Sequence, residues 1–194
     1  MQHRWGSWLP SQRRAASAWH DSQPIRAELF SLDRLEQHAA QLALEHHTAL
    51  KRGRGVALAA RIRHNRAALR RDYLQITRAT SGRRSVTPAA QWFIDNYYVI
   101  EQQLRMIRDD LPAAYYHQLP KLAAGRLSGF PRITGLAWDF IAHTDSAFDA
   151  QALTRFVQSY QRVEQLTLGE LWALASMLRV VLIENLRRAA DRII

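Results

Sequence analysis

The sequence has no cysteine among its 194 residues, and this absence removes several classes of function at once. Disulfide bonds, thiolate nucleophiles and cysteine-based zinc sites are excluded, because each of them needs a cysteine sulfur. A chain without cysteine is also compatible with a reducing cytoplasm. A phosphate-binding loop and a Gly-x-Ser-x-Gly nucleophile turn are absent too, and Gly53 with Gly55 alone is too weak a pattern to indicate a nucleotide site.

Long hydrophobic runs are also missing. The most apolar segment, residues 168–183, contains Glu170 and Arg179. It is shorter than the roughly 20 residues that a membrane-spanning helix needs. The first 20 residues contain no apolar stretch of the kind found in a secretory signal peptide. The sequence therefore predicts neither a membrane span nor a signal peptide.

Lysine is scarce, and the charge is unevenly distributed. Only Lys51 and Lys121 are lysines among the 27 basic residues, and the formal net charge is +10. Residues 1–86 carry 16 basic and 6 acidic residues, whereas residues 87–194 carry 11 of each. The excess positive charge thus belongs to the first half. It favours an acidic partner such as an anionic lipid surface, an acidic domain or a nucleic acid.

The residue pattern predicts an all-α fold, because no segment shows the period-two alternation of a β-strand. We expect a bundle of about five to seven helices with an irregular N-terminal arm. The expected parts are the arm over residues 1–27, a basic helical pair over residues 28–86 and a neutral helical body over residues 87–194, with residues 28–194 packed as one domain. The last helix reaches Ile194 without a glycine or asparagine stop signal, which favours a chain cut from a longer one. The helices are expected from Ser31 onward, over 56–80, from Thr87 to near Pro112, over 113–122, 134–143 and 148–163, and from Thr167 onward.

The second predicted helix carries a row of arginines away from its apolar positions. Such a face can bind the phosphates of a nucleic acid or a lipid, or it can be solvated or face an acidic domain. No helix-turn-helix or RNA-binding motif accompanies the arginines, so nucleic acid is not the expected partner. The candidate basic interaction face consists of Arg61, Arg63, Arg66, Arg70 and Arg71.

Polar and aromatic residues gather in the second half, and they form the candidate contact cluster. Aromatic faces pack on sugar rings, but aromatic residues at helical spacing more often belong to a core. Two of the tyrosines lie in a loop-like segment and are the better candidates for exposed contacts. The cluster consists of Tyr115, Tyr116, Trp138, His143 and Asp145.

Acid–base chemistry is a weaker interpretation of the same residues. His143 and Asp145 lie two residues apart, and such residues do not share a helix face. A helix end with local backbone hydrogen bonds is the favoured interpretation of this segment. Glu170 belongs to a Thr-x-x-Glu capping box that starts at Thr167. Glu184 lies roughly 21 Å further along the same helix, which is too far for a glycosidase pair at about 5–9.5 Å.

Metal and cofactor sites are not expected. His38, His46 and His47 do not form the His-x₃-His pattern that places two imidazoles on one helical turn. We therefore predict no catalytic, cofactor-binding or metal-binding residue. An independent sugar-active enzyme that uses His143, Asp145 or Glu170 stays open as an alternative.

Five blocks of the sequence resemble the N-terminal region of bacterial cyclic β-1,2-glucan synthases. The resemblance covers about residues 28–193 and is strongest after Thr87. The blocks are WFIDNYYVIEQQLRMIRDDLP, YYHQLPKL, GFPRITGLAWDFIAHTDS, RFVQSYQRVEQLTLGELWALA and LRVVLIENLRRAADRI, in that order.

The resemblance implies a place in a larger enzyme. Synthases of this family are inner-membrane glucosyltransferases that build and cyclise a β-1,2-linked chain from UDP-glucose, and the cyclic glucan is periplasmic. The resemblance implies that this region lies at the cytoplasmic face and precedes the membrane and transferase regions. None of the quoted positions matches a catalytic motif of the family, so a scaffold, assembly or regulatory role is expected. The implied partners are the remaining domains of the synthase, a second copy of the chain or an anionic membrane surface. The alternative is a stand-alone basic helical module that self-associates or binds anionic lipid or nucleic acid.

Overall fold

The computed structural model describes residues 22–49, 58–81 and 87–192. The predicted all-α fold is confirmed, since these residues form eight helices and no strand. Most of the predicted N-terminal arm, including Trp5, Trp8 and Trp19, lies outside the described residues. The linker that the composition of residues 81–85 predicts also lies outside them, apart from Ser81. The helices are α1 (Leu32–Glu45), α2 (Leu58–Ser81), α3 (Pro88–Asp95), α4 (Tyr97–Asp110), α5 (Ala113–Gln118), α6 (Arg132–His143), α7 (Ala150–Gln161) and α8 (Leu168–Ala190).

Side-chain caps set where several helices begin. Ser31 accepts a hydrogen bond from the backbone N–H of Arg34, and Thr87 caps α3, whose first residue is Pro88. These interactions satisfy backbone N–H groups that have no partner within the helix. The predicted capping box of α8 is present, with Thr167 and Glu170 each bonding to the backbone of the other. The predicted starts of α1, α3 and α8 are therefore confirmed.

The helix predicted from Thr87 to near Pro112 is divided in two. The break is at Asn96, whose side-chain amide donates to the backbone carbonyl of Trp92 at 2.8 Å. An asparagine that bonds to its own backbone in this way competes with the regular helix. The division raises the number of helices among the described residues to eight, one above the predicted range. Helix α7 begins at Ala150 rather than at 148, because Asp149 accepts hydrogen bonds from the next backbone N–H groups.

Helix α8 occupies the centre of the molecule. It packs against α6, α4 and α2, while α1 packs against α7 and α6. One cluster of buried side chains joins these layers, with Leu35 of α1, Leu69 of α2, Leu104 of α4 and Phe140 of α6 among its members. The basic helix α2 thus shares a core with the neutral body. None of the described helices has both the length and the apolar character that crossing a bilayer requires.

The first described segment is irregular but held on the helical body. Ile25 is buried, and its N–H donates to the side-chain oxygen of Asn185 in α8 at 2.6 Å. The N–H of Ala27 donates to the carbonyl of Ala142, and that of Phe30 donates to the carbonyl of His143. These bonds place residues 25–30 along the C-terminal end of α6.

Candidate functional site

A fully buried carboxylate, Glu184, lies where α2 meets α8. Arg61 donates to it twice, from Nε at 2.9 Å and from Nη2 at 2.6 Å, and Asn65 donates at 2.8 Å. Arg188 and Arg187 of α8 donate at 2.8 Å and 3.1 Å. Burial alone would raise the pKa of Glu184, but the hydrogen bonds from Arg61 and Arg188 outweigh it and lower the pKa to about 2. The carboxylate is therefore ionised and fully engaged in an internal network.

A second buried carboxylate, Glu170, begins α8. Arg132 of α6 binds it through two hydrogen bonds, from Nε at 2.9 Å and from Nη2 at 2.7 Å. Glu170 also accepts from the backbone N–H of Thr167 at 2.9 Å, and Arg132 binds the half-exposed Glu164 at 2.9 Å. This carboxylate ties the start of α8 to the start of α6. Both buried glutamates are thus committed to arginine pairs, which leaves neither in the arrangement of a glycosidase acid–base pair.

The predicted basic face is less positive than its arginine count indicates. Arg61 is turned inward to Glu184, Arg66 binds Glu101 of α4 at 2.8 Å, and Arg71 binds Asp72 at 2.9 Å. The exposed members without an ion pair among the described residues are Arg63 and Arg70. Three of the five arginines therefore have acidic partners within the chain itself.

The candidate contact cluster divides into two separate places. Tyr115 is half-buried, and its hydroxyl donates to the backbone carbonyl of Gly169 at the start of α8. Tyr116 is only 4% exposed, so the expectation that it makes exposed contacts is wrong. The reason is that residues 113–118 form the short helix α5, which buries Tyr116 against the core and over the side chain of Lys121. The two tyrosines do not join Trp138, His143 and Asp145.

The other three members of the contact cluster lie near the C-terminal end of α6. Trp138 is buried at 2% exposure, while Asp145 lies just beyond the helix and binds Arg26 at 2.7 Å. The helix ends at His143, as the local pattern predicts, and the hydroxyl of Thr144 bonds back to the carbonyl of Phe140 at 2.8 Å. Asp145 thus bonds to an arginine rather than to His143.

A polar pocket opens beside this helix end, between α6 and the irregular segment over residues 23–27. It has a volume of about 490 Å³ and is lined by Arg26, Arg126, Trp138, Asp139 and His143 together with parts of the irregular segment. Asp139 lies one helical turn before His143 and therefore on the same face of α6. The sequence pattern had paired His143 with Asp145 instead, and it gave no reason to connect His38 with either residue. In the structure, Nε2 of His38 lies 3.5 Å from Oδ1 of Asp139.

A separate apolar groove lies where α3 and α4 meet α8. It has a volume of about 210 Å³, and Trp92 at its edge is 57% exposed. The outward side of α8 continues the groove towards the start of the helix, because Trp172 and Arg179 are seven residues, or nearly two turns, apart. Trp172 is 73% exposed and Leu168 is 63% exposed. The groove is lined by Trp92, Asn96, Val99, Ile100, Gln103, Arg179, Leu182, Ile183 and Leu186.

Comparison with known proteins matches this chain to a small part of a much longer protein. It is 39% identical over 196 residues to cyclic beta-(1,2)-glucan synthase NdvB of Rhizobium meliloti (strain 1021). The match covers 100% of this chain and 7% of that protein, so the chain spans a small part of the relative's length. No family model matches the chain. The predicted resemblance is confirmed: the chain is homologous, over its whole length, to the N-terminal region of a cyclic β-1,2-glucan synthase.

Proposed function

We propose that this chain is a non-catalytic helical scaffold of a cyclic β-1,2-glucan synthase, a membrane glucosyltransferase that makes periplasmic cyclic glucan from UDP-glucose. Its role is to dock on another part of the synthase and to support the assembly of the catalytic region. The docking surface is the outward side of α8 together with the Trp92 groove, at the cytoplasmic face of the inner membrane.

The apolar outward side of α8, which is exposed over its first two turns, is the observation that carries this proposal. Large contiguous apolar surface is unusual on a protein that works alone, and it commonly marks a site of contact with another protein. Trp and Tyr are also the residues that contribute most to binding energy at such contacts. Leu168, Trp172 and Ala175 are exposed. Beyond Arg179, the half-buried Leu182 and Leu186 continue the apolar row and also pack against the core.

The charged interior supports a structural rather than a catalytic role. Glu170 and Glu184 hold three helices together through Arg132, Arg61 and Arg188, so these carboxylates serve packing. The occupant of the apolar surface is proposed to be another segment of the same kind of synthase. The reason is the relative's length: a region that is 7% of a polypeptide has the rest of that polypeptide as its nearest partner.

Co-purification with a synthase that lacks this region tests the docking surface. We expect the shortened synthase to retain the wild-type chain. A Trp92→Ala, Trp172→Ala double variant should bind at least tenfold more weakly, because truncating a Trp that is a hot spot of an interface costs about 2 kcal/mol or more. Both tryptophans are exposed, at 57% and 73%, so the variant leaves the core intact. Phe148→Ala is the matched control, because Phe148 is 62% exposed and lies outside the groove. The control should bind like the wild type.

Two results would contradict the proposal. One is retention of the double variant at the wild-type level. The other is association of the chain with itself, with anionic vesicles or with DNA at ordinary ionic strength while the shortened synthase fails to retain it. That second result would favour a stand-alone binding module and would implicate Arg63 and Arg70, the exposed arginines of the candidate basic face that have no ion pair among the described residues.

A further inference from the structure

Three metal-ligating side chains converge where α1 passes the end of α6. His38 comes from α1, and Asp139 and His143 come from successive turns of α6. One ligand atom from each of the three residues lies within 4.8 Å of the other two. Asp139 and His143 are four residues apart, which places them on one helix face, and His38 faces them from the neighbouring helix.

The backbone engages one ring nitrogen of His143, which fixes the ring nitrogen that can bind a metal. Its Nδ1 lies 2.7 Å from the backbone carbonyl oxygen of Glu28. A carbonyl oxygen can only accept, so Nδ1 donates the proton and Nε2 keeps its lone pair. The ring also stacks on Phe30, with centroids 3.9 Å apart and planes inclined by 14°. A histidine that donates one ring N–H to a carbonyl and offers the other nitrogen is the usual arrangement around a metal.

The contacts among the three side chains leave room for an ion. The 3.5 Å between His38 and Asp139 is long for a hydrogen bond, which usually spans about 2.7–3.2 Å. It is close to the ~3.4 Å that separates two ligand atoms in a tetrahedral zinc site with bonds of about 2.1 Å. The two separations that involve His143 are at most 4.8 Å.

Two of the three arginines that line the neighbouring pocket have acidic partners, since Arg26 is paired with Asp145 and Arg188 with Glu184. The third, Arg126, lies over the ring of Trp138, with 5.2 Å between its guanidinium carbon and the ring centroid. His38 and Asp139 are about four-fifths buried, with side-chain exposures of 22% and 21%, so an ion between them is partly shielded from water.

We propose that His38, Asp139 and His143 bind one divalent transition-metal ion of the zinc type. Two imidazoles and one carboxylate suit zinc and related ions better than calcium or magnesium, which prefer oxygen ligands. His143 binds through Nε2, and at least one coordination position faces the polar pocket. The ion joins α1 and the irregular segment over residues 25–30 to α6. The site is independent of the docking surface and stands or falls separately from the scaffold role.

Zinc titration of the full chain tests the site. We expect one high-affinity zinc ion per chain, and affinity at least tenfold weaker in each of His38→Gln and Asp139→Asn. Asp139→Asn keeps the shape of the side chain and removes the charge, so it tests ligation without creating a cavity. His47→Gln and His117→Gln are the controls, because both residues are exposed and lie outside the cluster. Both control variants should bind zinc like the wild type.

Binding of Co²⁺ provides a second measurement, which would not change if these residues had only a structural role. Co²⁺ bound by two imidazoles and a carboxylate should give visible absorption bands that Asp139→Asn shifts or abolishes while the far-ultraviolet circular dichroism stays unchanged. Zinc should also raise the melting temperature of the wild type and of both controls, but not of His38→Gln. The proposal is overturned if the wild type binds no zinc, or if either cluster variant binds zinc as tightly as the wild type. It is also overturned if the two controls lose zinc as the cluster variants do.

Discussion

Replacing Glu184 by glutamine should destabilise the fold far more than the loss of one exposed carboxylate would. The side chain is fully buried, and Arg61, Arg187 and Arg188 all donate to its Oε1. Glutamine has nearly the same shape but carries no charge, so it leaves three arginines facing a neutral group. Removing one partner of a buried ion pair costs about 3–5 kcal/mol, because the remaining charge is buried without compensation.

The pKa of Glu184 gives a second value for the stability that its charge contributes. The pKa falls from 4.5 to about 2. At about 1.4 kcal/mol for each pKa unit, this corresponds to about 3 kcal/mol in favour of the ionised folded state. Both routes therefore predict that Glu184→Gln lowers the free energy of unfolding by about 3 kcal/mol, a large share of the 5–15 kcal/mol typical of a domain.

Urea unfolding at neutral pH, followed by circular dichroism, measures this change. The matched control is Glu164→Gln, because Glu164 is 53% exposed and its partner Arg132 keeps both bonds to Glu170. The control should lower the free energy of unfolding by less than about 1 kcal/mol, because exposed ion pairs contribute no more than that to stability. If Glu184→Gln costs no more than Glu164→Gln, the internal network does not stabilise the junction of α2 and α8, and the reasoning is refuted.

Three further predictions concern acid, a glycine and a histidine. Because Glu184 has a lower pKa in the folded than in the unfolded state, its contribution is complete above about pH 4.5 and is lost as the pH falls from about 4.5 to about 2. Acid titration of stability should show this loss in the wild type, and an equal loss in Glu184→Gln would contradict it. Gly135→Ala should lower the free energy of unfolding, measured by thermal unfolding, by about 1–3 kcal/mol, because the new Cβ would lie 3.0 Å from the ring of His46. Gly169→Ala is the control: its Cβ meets nothing closer than 3.7 Å, so it should lower the free energy of unfolding by less than about 0.5 kcal/mol. Equal effects of the two glycine substitutions would argue against this close packing. Burial lowers the pKa of His46, so the folded state resists its protonation and loses stability as the pH falls below about 6.5. A nuclear magnetic resonance titration should place this pKa below 6.5, and a value at or above 6.5 would count against the buried, neutral ring.

Local signals in the sequence predict the helices but not all of their ends. Thr87 followed by proline and the Thr167–Glu170 box each mark a helix start, because the interactions that cap a helix involve residues close in sequence. The break at Asn96 was missed, since the apolar spacing continues through it and only the side-chain bond to Trp92 reveals it.

The site residues depend on contacts between distant segments, and for that reason they were largely missed. His38 meets Asp139 across 101 residues, and Arg61 meets Glu184 across 123 residues. A periodic pattern shows which residues share one helix face, but not which two helices meet. The i, i+4 spacing of Asp139 and His143 was the one signal available, and it was hidden because Asp145 lies nearer to His143 in the sequence.

Reconstitution of glucan synthesis tests the proposed scaffold role most directly. A synthase lacking this region is supplied with UDP-glucose, and cyclic β-1,2-glucan is measured with and without the separately produced chain. We expect synthesis to be weak without the chain, to recover with the wild-type chain and with Phe148→Ala, and to stay weak with the Trp92→Ala, Trp172→Ala variant. Full synthesis without the chain, or equal recovery with the double variant, would contradict the scaffold role and its docking surface.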